Sequence, residues 1–455
     1  MKKFSQLLTL LILFAVAFTA CDDDNTPTEA PVANAGDNQQ VYEGAEVTLD
    51  ASSSHDDEGY DISYTWTAPE GITLNAANVA QPTFTAPEVT EDTEFEFTVT
   101  VDNGGLSTQA SVSVNVLQSE VAYVFNYGSW GNGGASIDRF NLETGVISNK
   151  YYQAQNSELS LELTSNIQSV CQYNGKFYLV ANESDGIIVV DDQLVQSIDA
   201  IASDDIVTPR FAVAEGEYLY ISCWGENPDY AEMAGSYIAK FNITTNQVEE
   251  TFSVPGGPEG LAIANGKLYA ALNYSYKIAV IDEGQISYIE TPAVSSYFLK
   301  DNSDNLYVTL VSTYSDYSEA PGLGYINTTT NTLDETYYLD GVSSGYSSIL
   351  SANSDFSTIY VLASGWVQLE DESWANLGGV QKFDVATGTF SSFIGGLSGV
   401  NGVCVNPEND NQVIVFGGGS STEGGFFDVY NVSGTIQSQN NCGISPYWTL
   451  ALDVE

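Results

Sequence analysis

Between Val121 and Glu455 one pattern returns every forty to fifty residues or so. It runs through an apolar strand, a strand built on Leu-Tyr or a close variant, an aromatic or apolar strand ending near Asp or Asn, and a Thr-rich strand. The clearest copy spans Pro258 to Thr291, where two short turns rich in Gly, Asn or Glu separate four alternating runs. Related second strands sit at Phe177-Tyr178, Leu219-Tyr220, Leu268-Tyr269, Leu306-Tyr307 and Ile359-Tyr360. A unit of this kind cannot bury its own apolar face and must stack on the next. For four-stranded units, radial closure is the usual way to protect the sheet edges, so the pattern predicts a β-propeller.

Counting the units predicts the architecture. First strands begin near Asn166, Pro209, Glu259, Ser296, Ser347 and Asn401, and a last one, Tyr447 to Leu452, has nothing after it to pair with. Conversely, Val121 to Phe125, Ile137 to Leu142 and Val146 to Tyr151 read as three strands with no first strand before them. One blade is therefore expected to be split between the chain ends. The expected fold is all-β, with residues 121-455 forming a seven-bladed β-propeller closed by the C-terminal strand.

Ahead of the repeats, Met1-Lys2-Lys3 and the apolar run from Leu7 to Phe18 read as a secretory signal, too short for a stable membrane span. Phe18-Thr19-Ala20-Cys21 resembles the bacterial lipobox, departing from it at Phe18, where that motif prefers Leu. The resemblance implies cleavage after residue 20 and acylation of Cys21, a lipidation site that would make the lipid anchor the only contact with a membrane. Asp22-Asp23-Asp24-Asn25 resembles the acidic tag that exports Bacteroidota lipoproteins to the cell surface, and residues 21-30 have the composition of a tether. The implied location is the outer membrane, exposed on the cell surface.

Residues 31-117 alternate at period two between Gly, Pro and Asn turns, as a β-sandwich requires. Pro31 to Gly36, Val47 to Ser54, Ile62 to Trp66 and Phe95 to Gly105 resemble the polycystic-kidney-disease (PKD) type of immunoglobulin-like domain, with Trp66 as its core anchor. Its expected role is that of a spacer. Asp56, Asp57 and Glu58 read either as a polar turn or as hard oxygen ligands for Ca²⁺.

Composition excludes several classes of function. The net charge is -49, yet 43% of residues are hydrophobic, so the acidity belongs to a folded surface. Nucleic-acid binding needs clustered cations, whereas Arg139, Lys150, Lys176, Arg210, Lys240, Lys267, Lys277, Lys300 and Lys382 are scattered. His55, the only histidine, lies in the sandwich. The repeats thus lack an imidazole for Ser-His-Asp or Cys-His catalysis and for a His-ligated metal, and no cofactor is expected. Chemistry by paired carboxylates remains open. Cys171 and Cys404 read as small core residues, and a Cys223–Cys442 disulfide is left open.

The loops joining second to third strands and those leading into first strands share one face. On the former lie Tyr127, Trp130, Trp224, Tyr230, Tyr274, Tyr276, Tyr314, Tyr317, and a loop from Trp366 through Trp374. The latter add Arg210, Tyr297, Tyr346, Asn401, Tyr447 and Trp448. The opposite face carries short turns such as Asn265-Gly266, which read as purely structural. Aromatic rings with polar tips offer large contact area at small entropic cost, so the first face is the expected binding face.

The repeats resemble the "YVTN" surface-layer propellers and, with the signal, the Bacteroidota propeller lipoproteins of the DUF5074 type. Relatives of that architecture include surface lipoproteins that bind cobalamin and sit on a TonB-dependent transporter. The resemblance implies capture of a small-molecule ligand, with a corrinoid favoured, for delivery to such a transporter. The repeat motif is generic and does not itself indicate cobalamin. A glycan is the alternative ligand, because aromatic loops also stack on sugar rings.

Overall fold

The structure, a computed structural model, describes residues 26–455 apart from 90, 120, 130–132, 143, 158–165, 197–200, 312–321, 340–348, 369–373, 407–408, 419–422 and 452–455, and leaves the side chains of 364–378, 398 and 448–451 undescribed. The chain divides into two compact units, Met1–Gln118 and Ser119–Glu455.

In the first unit, Gln39–Tyr42, Ser107–Leu117, Thr93–Asp102 and Ser63–Thr67 form one sheet in that order, and Glu46–Thr48 pairs with Thr83–Thr85 in another. Alternation dictates which side chains face inward: Phe97, Val99, Val101, Val112, Val114 and Val116 are all buried. Trp66 packs among them and donates its indole N–H to the Val79 carbonyl at 3.1 Å. The acidic turn is used internally. Asp56 accepts from Asn103 at 2.8 Å and from the amides of Glu58 and Tyr60, and Glu58 accepts from the Thr28 amide at 2.7 Å. Among the described residues no cluster of three or more His, Cys, Asp or Glu side chains could hold a metal ion.

Among its described residues the second unit contains seven four-stranded sheets, each antiparallel throughout. Six run consecutively along the chain, beginning at Ser169–Tyr173, Pro209–Glu215, Pro258–Ala264, Val294–Lys300, Leu350–Ala352 and Val400–Val405. The seventh takes its first strand, Pro446–Ala451, from the end of the chain and pairs it with Val121–Asn126. The meander follows from local turn chemistry. Asn174-Gly175, Asn265-Gly266 and Glu283-Gly284 each have both residues at positive φ, the two-residue hairpin turn that matches strand twist.

The Leu-Tyr strands are the second strands, and they supply the core between sheets. Leu179, Leu219 and Leu306 are fully buried. Tyr269 buries its ring and donates its hydroxyl to Asn331 Oδ1 of the next sheet at 2.7 Å, satisfying the polar tip without exposing the ring.

Two sequence expectations need correction here. The run Val146 to Tyr151 is a strand only over Ile147–Ser148; Tyr151–Gln155 is a short helix. Lys150 turns the chain with φ 55, its amide bonded to Asp138 Oδ1, and Tyr151 and Tyr152 then bury against Tyr123 and Phe177. Tertiary packing overrides the β-propensity of the tyrosines. Trp366 through Trp374 is not one long loop. Thr358–Gln368 and Trp374–Asp384 extend the hairpin, with Trp366 opposite Asn376 and Gln368 opposite Trp374.

Candidate functional site

Five first strands share one irregularity near their start. The ladder to the second strand skips Arg210, Glu259-Gly260, Ser296-Tyr297, Asn401 and Tyr447 in the respective sheets. A β-bulge re-aims the skipped side chain and frees backbone groups from the ladder. Small polar residues of the second strands take those groups up. Ser222 Oγ accepts from the Phe211 amide at 3.0 Å and donates to the Glu259 carbonyl at 2.7 Å, while Thr309 Oγ1 accepts from the Tyr297 amide at 2.9 Å. Glycine permits the close approach between neighbours: a Cβ on Gly260 would collide with the Ser296 carbonyl, and one on Gly402 with that of Tyr447.

The bulges bring together one polar cluster. Arg210 donates from Nε and Nη2 to the two oxygens of Glu259, each at 2.8 Å, and from Nη1 to Gln168 Oε1 at 3.1 Å. The two side chains are 15% and 3% exposed, so the bidentate pair is largely withdrawn from water. Burial acts against the Arg210 charge, but the attraction and hydrogen bonds of Glu259 outweigh it and hold the guanidinium more firmly protonated than usual.

Three tyrosines surround the pair. Tyr127 and Tyr447 meet edge to face with centroids 6.3 Å apart, and Tyr297 packs on Phe211 at 5.8 Å. Burial pushes all three phenols up, with the Arg210 charge partly countering it at Tyr127 and the charge of Glu259 adding to it at Tyr297. They are neutral hydrogen-bonding groups across the physiological range, not proton carriers.

An aromatic ledge rises from this floor. The Arg210 guanidinium carbon lies 4.1 Å from the centroid of the Trp224 ring, whose Nε1 donates to the Pro258 carbonyl at 3.1 Å. Tyr274 and Tyr230 abut Trp224 edge to face at 5.6 and 6.2 Å, and Tyr230 is 60% exposed. Asp229 holds the loop by accepting from the amides of Ala231 at 2.9 Å and Met233 at 2.7 Å, bonds that keep its carboxyl below the usual range. Tyr276 is exposed one turn beyond Tyr274.

Of the residues singled out in the sequence, Tyr127, Arg210, Trp224, Tyr230, Tyr274, Tyr297 and Tyr447 fall into this ensemble, and Asn401 occupies the equivalent bulge of its own sheet. Trp130, Tyr314, Tyr317 and Tyr346 lie outside the described residues, as do residues 1–25 with Cys21, and Trp366, Trp374 and Trp448 are placed by their backbone alone. The sequence marks Glu259 only as the start of a first strand and singles out neither Gln168 nor Phe211. A Pro-Glu-Gly at the same offset as Pro-Arg-Phe was the available signal. The four cysteines of this unit are free, and burial pushes the thiols of Cys171, Cys223 and Cys404 up to about 12.

Sequence comparison matches residues 121–365, more than half of the chain, to a family defined as a domain of unknown function, DUF5074. The chain belongs to the DUF5074 family. Residues 35–116 match a PKD domain family. A 90-residue segment is 37% identical to Chitinase A of Pseudoalteromonas piscicida, covering 20% of this chain and only 11% of that enzyme. Among solved structures, a quinonprotein alcohol dehydrogenase-like protein from Bacteroides thetaiotaomicron aligns over 92% of this chain and 98% of its own at 14% identity, with a TM-score of 0.53. A Lactobacillus plantarum protein aligns over 74% of this chain and all of its own at 12% identity, with a TM-score of 0.52. At such identities the likeness concerns fold alone, an all-β propeller-like architecture. Among the described residues of this DUF5074 protein, no helix is long and apolar enough to cross a membrane.

Proposed function

We propose that this DUF5074 protein is a surface lipoprotein, acylated at Cys21, whose seven sheets are the blades of one ring closed by the C-terminal strand and whose bulged loop face captures a ligand. One observation carries this reading: the bulges gather Arg210, Glu259, Tyr297 and Tyr447 into a largely buried floor beside a Trp224–Tyr230–Tyr274 ledge, of which Tyr230 is exposed and the other two rings are half-buried. A largely buried polar floor with an aromatic rim favours a broad, flat ligand held at its periphery. A corrinoid, flat and fringed with amides, has that shape, and release intact to a TonB-dependent transporter is consistent with holding it through neutral phenols and an internally matched ion pair. The site is read as a binding site without catalysis, because the carboxylate of Glu259 is committed to Arg210.

The exposed rings of Tyr230 and Tyr276 favour a second reading, a glycan stacked on the ledge. Calorimetric titration of the full chain with cyanocobalamin and, in parallel, with a glycan panel separates the two. Saturable corrinoid binding that Trp224→Ala weakens at least tenfold supports the first reading. Its absence at micromolar ligand, with Trp224-dependent glycan binding, replaces it with the second.

A further inference from the structure

On the opposite face, where the sequence offered only short turns, the structure holds a cavity of about 450 Å³. It lies between the sheets that begin at Val294, Leu350 and Val403's strand, Val400–Val405, and reaches inward to Phe211, Tyr297 and Tyr447, the underside of the floor described above. Leu350–Ala352, three residues long, is the shortest first strand of the six consecutive sheets, and all three of its residues line the cavity.

The lining divides by chemistry. The apolar lining includes Phe211, Tyr297, Leu350 and Val403; at the turns stand Asn353, Ser354 and Asp410. The Asp410 carboxylate is fixed there by the Ser354 amide, at 3.0 and 3.2 Å to its two oxygens, and by the Ser354 hydroxyl, a clasp between turns of neighbouring sheets. Among the described residues that line the cavity none is Lys, Arg or His. Arg210, which neighbours Tyr297, is matched by Glu259 and adds no net charge.

We infer that this cavity is a second binding site, for a small organic monocation: an apolar body enters among the aromatic walls and an ammonium group stays at Asp410. Three features select that chemistry. A half-open, mainly apolar recess of this size is filled favourably by hydrocarbon. Aromatic faces attract cations and a carboxylate marks the mouth. A protein of net charge -49 concentrates cations and repels anions.

The test uses three naphthalene probes of matched shape in calorimetric titrations of the full chain at pH 7: 2-naphthylmethylammonium, 2-naphthylmethanol and 2-naphthoate. The ammonium is expected to bind at 1:1, about fivefold tighter than the alcohol, the scale of one partly exposed charge contact, and the naphthoate more weakly still. Asp410→Asn should bring the ammonium to the affinity of the alcohol. Ala352→Trp or Val403→Phe, each verified as folded by circular dichroism, should abolish binding by filling the space. Trp224→Ala on the other face should leave probe binding intact, so failure of this inference and failure of the loop-face reading are distinguishable. Equal affinity for naphthoate and ammonium, no effect of Asp410→Asn, or loss of the probe on Trp224→Ala overturns the inference.

Discussion

Replacing Glu259 by Gln asks how the floor of the loop face is held together. Glu259 is 3% exposed and receives two of the three observed Arg210 hydrogen bonds. A Gln keeps the shape but offers one acceptor oxygen, and its amide turns two donor hydrogens toward a guanidinium that has no acceptor. Breaking one partner of a buried ion pair costs ~3–5 kcal/mol, because the survivor is left desolvated. Arg210 keeps 15% exposure and its contacts with Gln168 and Trp224, which moves the expectation to the lower end, about 3 kcal/mol. At roughly 2 °C per kcal/mol for a large domain, scanning calorimetry should record a fall of about 6 °C in the transition of the second unit. The double variant Arg210→Met/Glu259→Leu removes both charges and should recover most of the loss. A melting temperature for Glu259→Gln within 1 °C of the parent, or a double variant less stable than the single one, would refute the account of the floor.

Further outcomes follow from the same geometry. Gly260→Ala and Gly402→Ala place a Cβ on the backbone of a neighbouring sheet and should each cost ~1–3 kcal/mol in denaturant unfolding, against a few tenths for the control Gly235→Ala, where φ is not positive and a Cβ meets nothing within 4 Å. Native Cys171, Cys223 and Cys442, which are buried and whose thiols burial pushes up, should resist a thiol reagent at pH 8 for hours and react at once in denaturant; rapid native labelling contradicts their placement. Asp229 has its folded pKa depressed by the amides of Ala231 and Met233, so its contribution is present above the ordinary value of 3.8 and lost as pH falls through the lower folded value. Tryptophan fluorescence from the ledge should therefore be constant from pH 7 to 5 and change only below about pH 4, and Asp229→Ala should remove that acid transition.

What the sequence made legible was whatever local chemistry decides. The Leu-Tyr strands could be read because alternation and burial coincide there, and the Asn-Gly hairpins because positive φ selects those residues. Trp66 was readable as a core anchor since the sandwich around it is small and regular. The helix at Tyr151–Gln155 was not, because it depends on Tyr123 and Phe177 from two different sheets. The aromatic residues of the loop face could be named, yet the partner that organises them could not. Glu259 matters because two bulges point it and Arg210 at each other from adjacent sheets, and the shared Pro offset that marks these bulges does not say which residues meet across them. The cavity on the turn face was equally hidden, since residues distant in the sequence, from Phe211 to Tyr447, line it together.

The most direct measurement of the central claim is hydrogen–deuterium exchange on the full chain with and without saturating cyanocobalamin. The account predicts slowed exchange in the Cys223–Met233 and Asn273–Lys277 segments, around Trp224, Tyr230 and Tyr274, with residues 351–356 unchanged. Exchange that the corrinoid leaves unaltered on the loop face, or slows only at 351–356 and around Asp410, would contradict it.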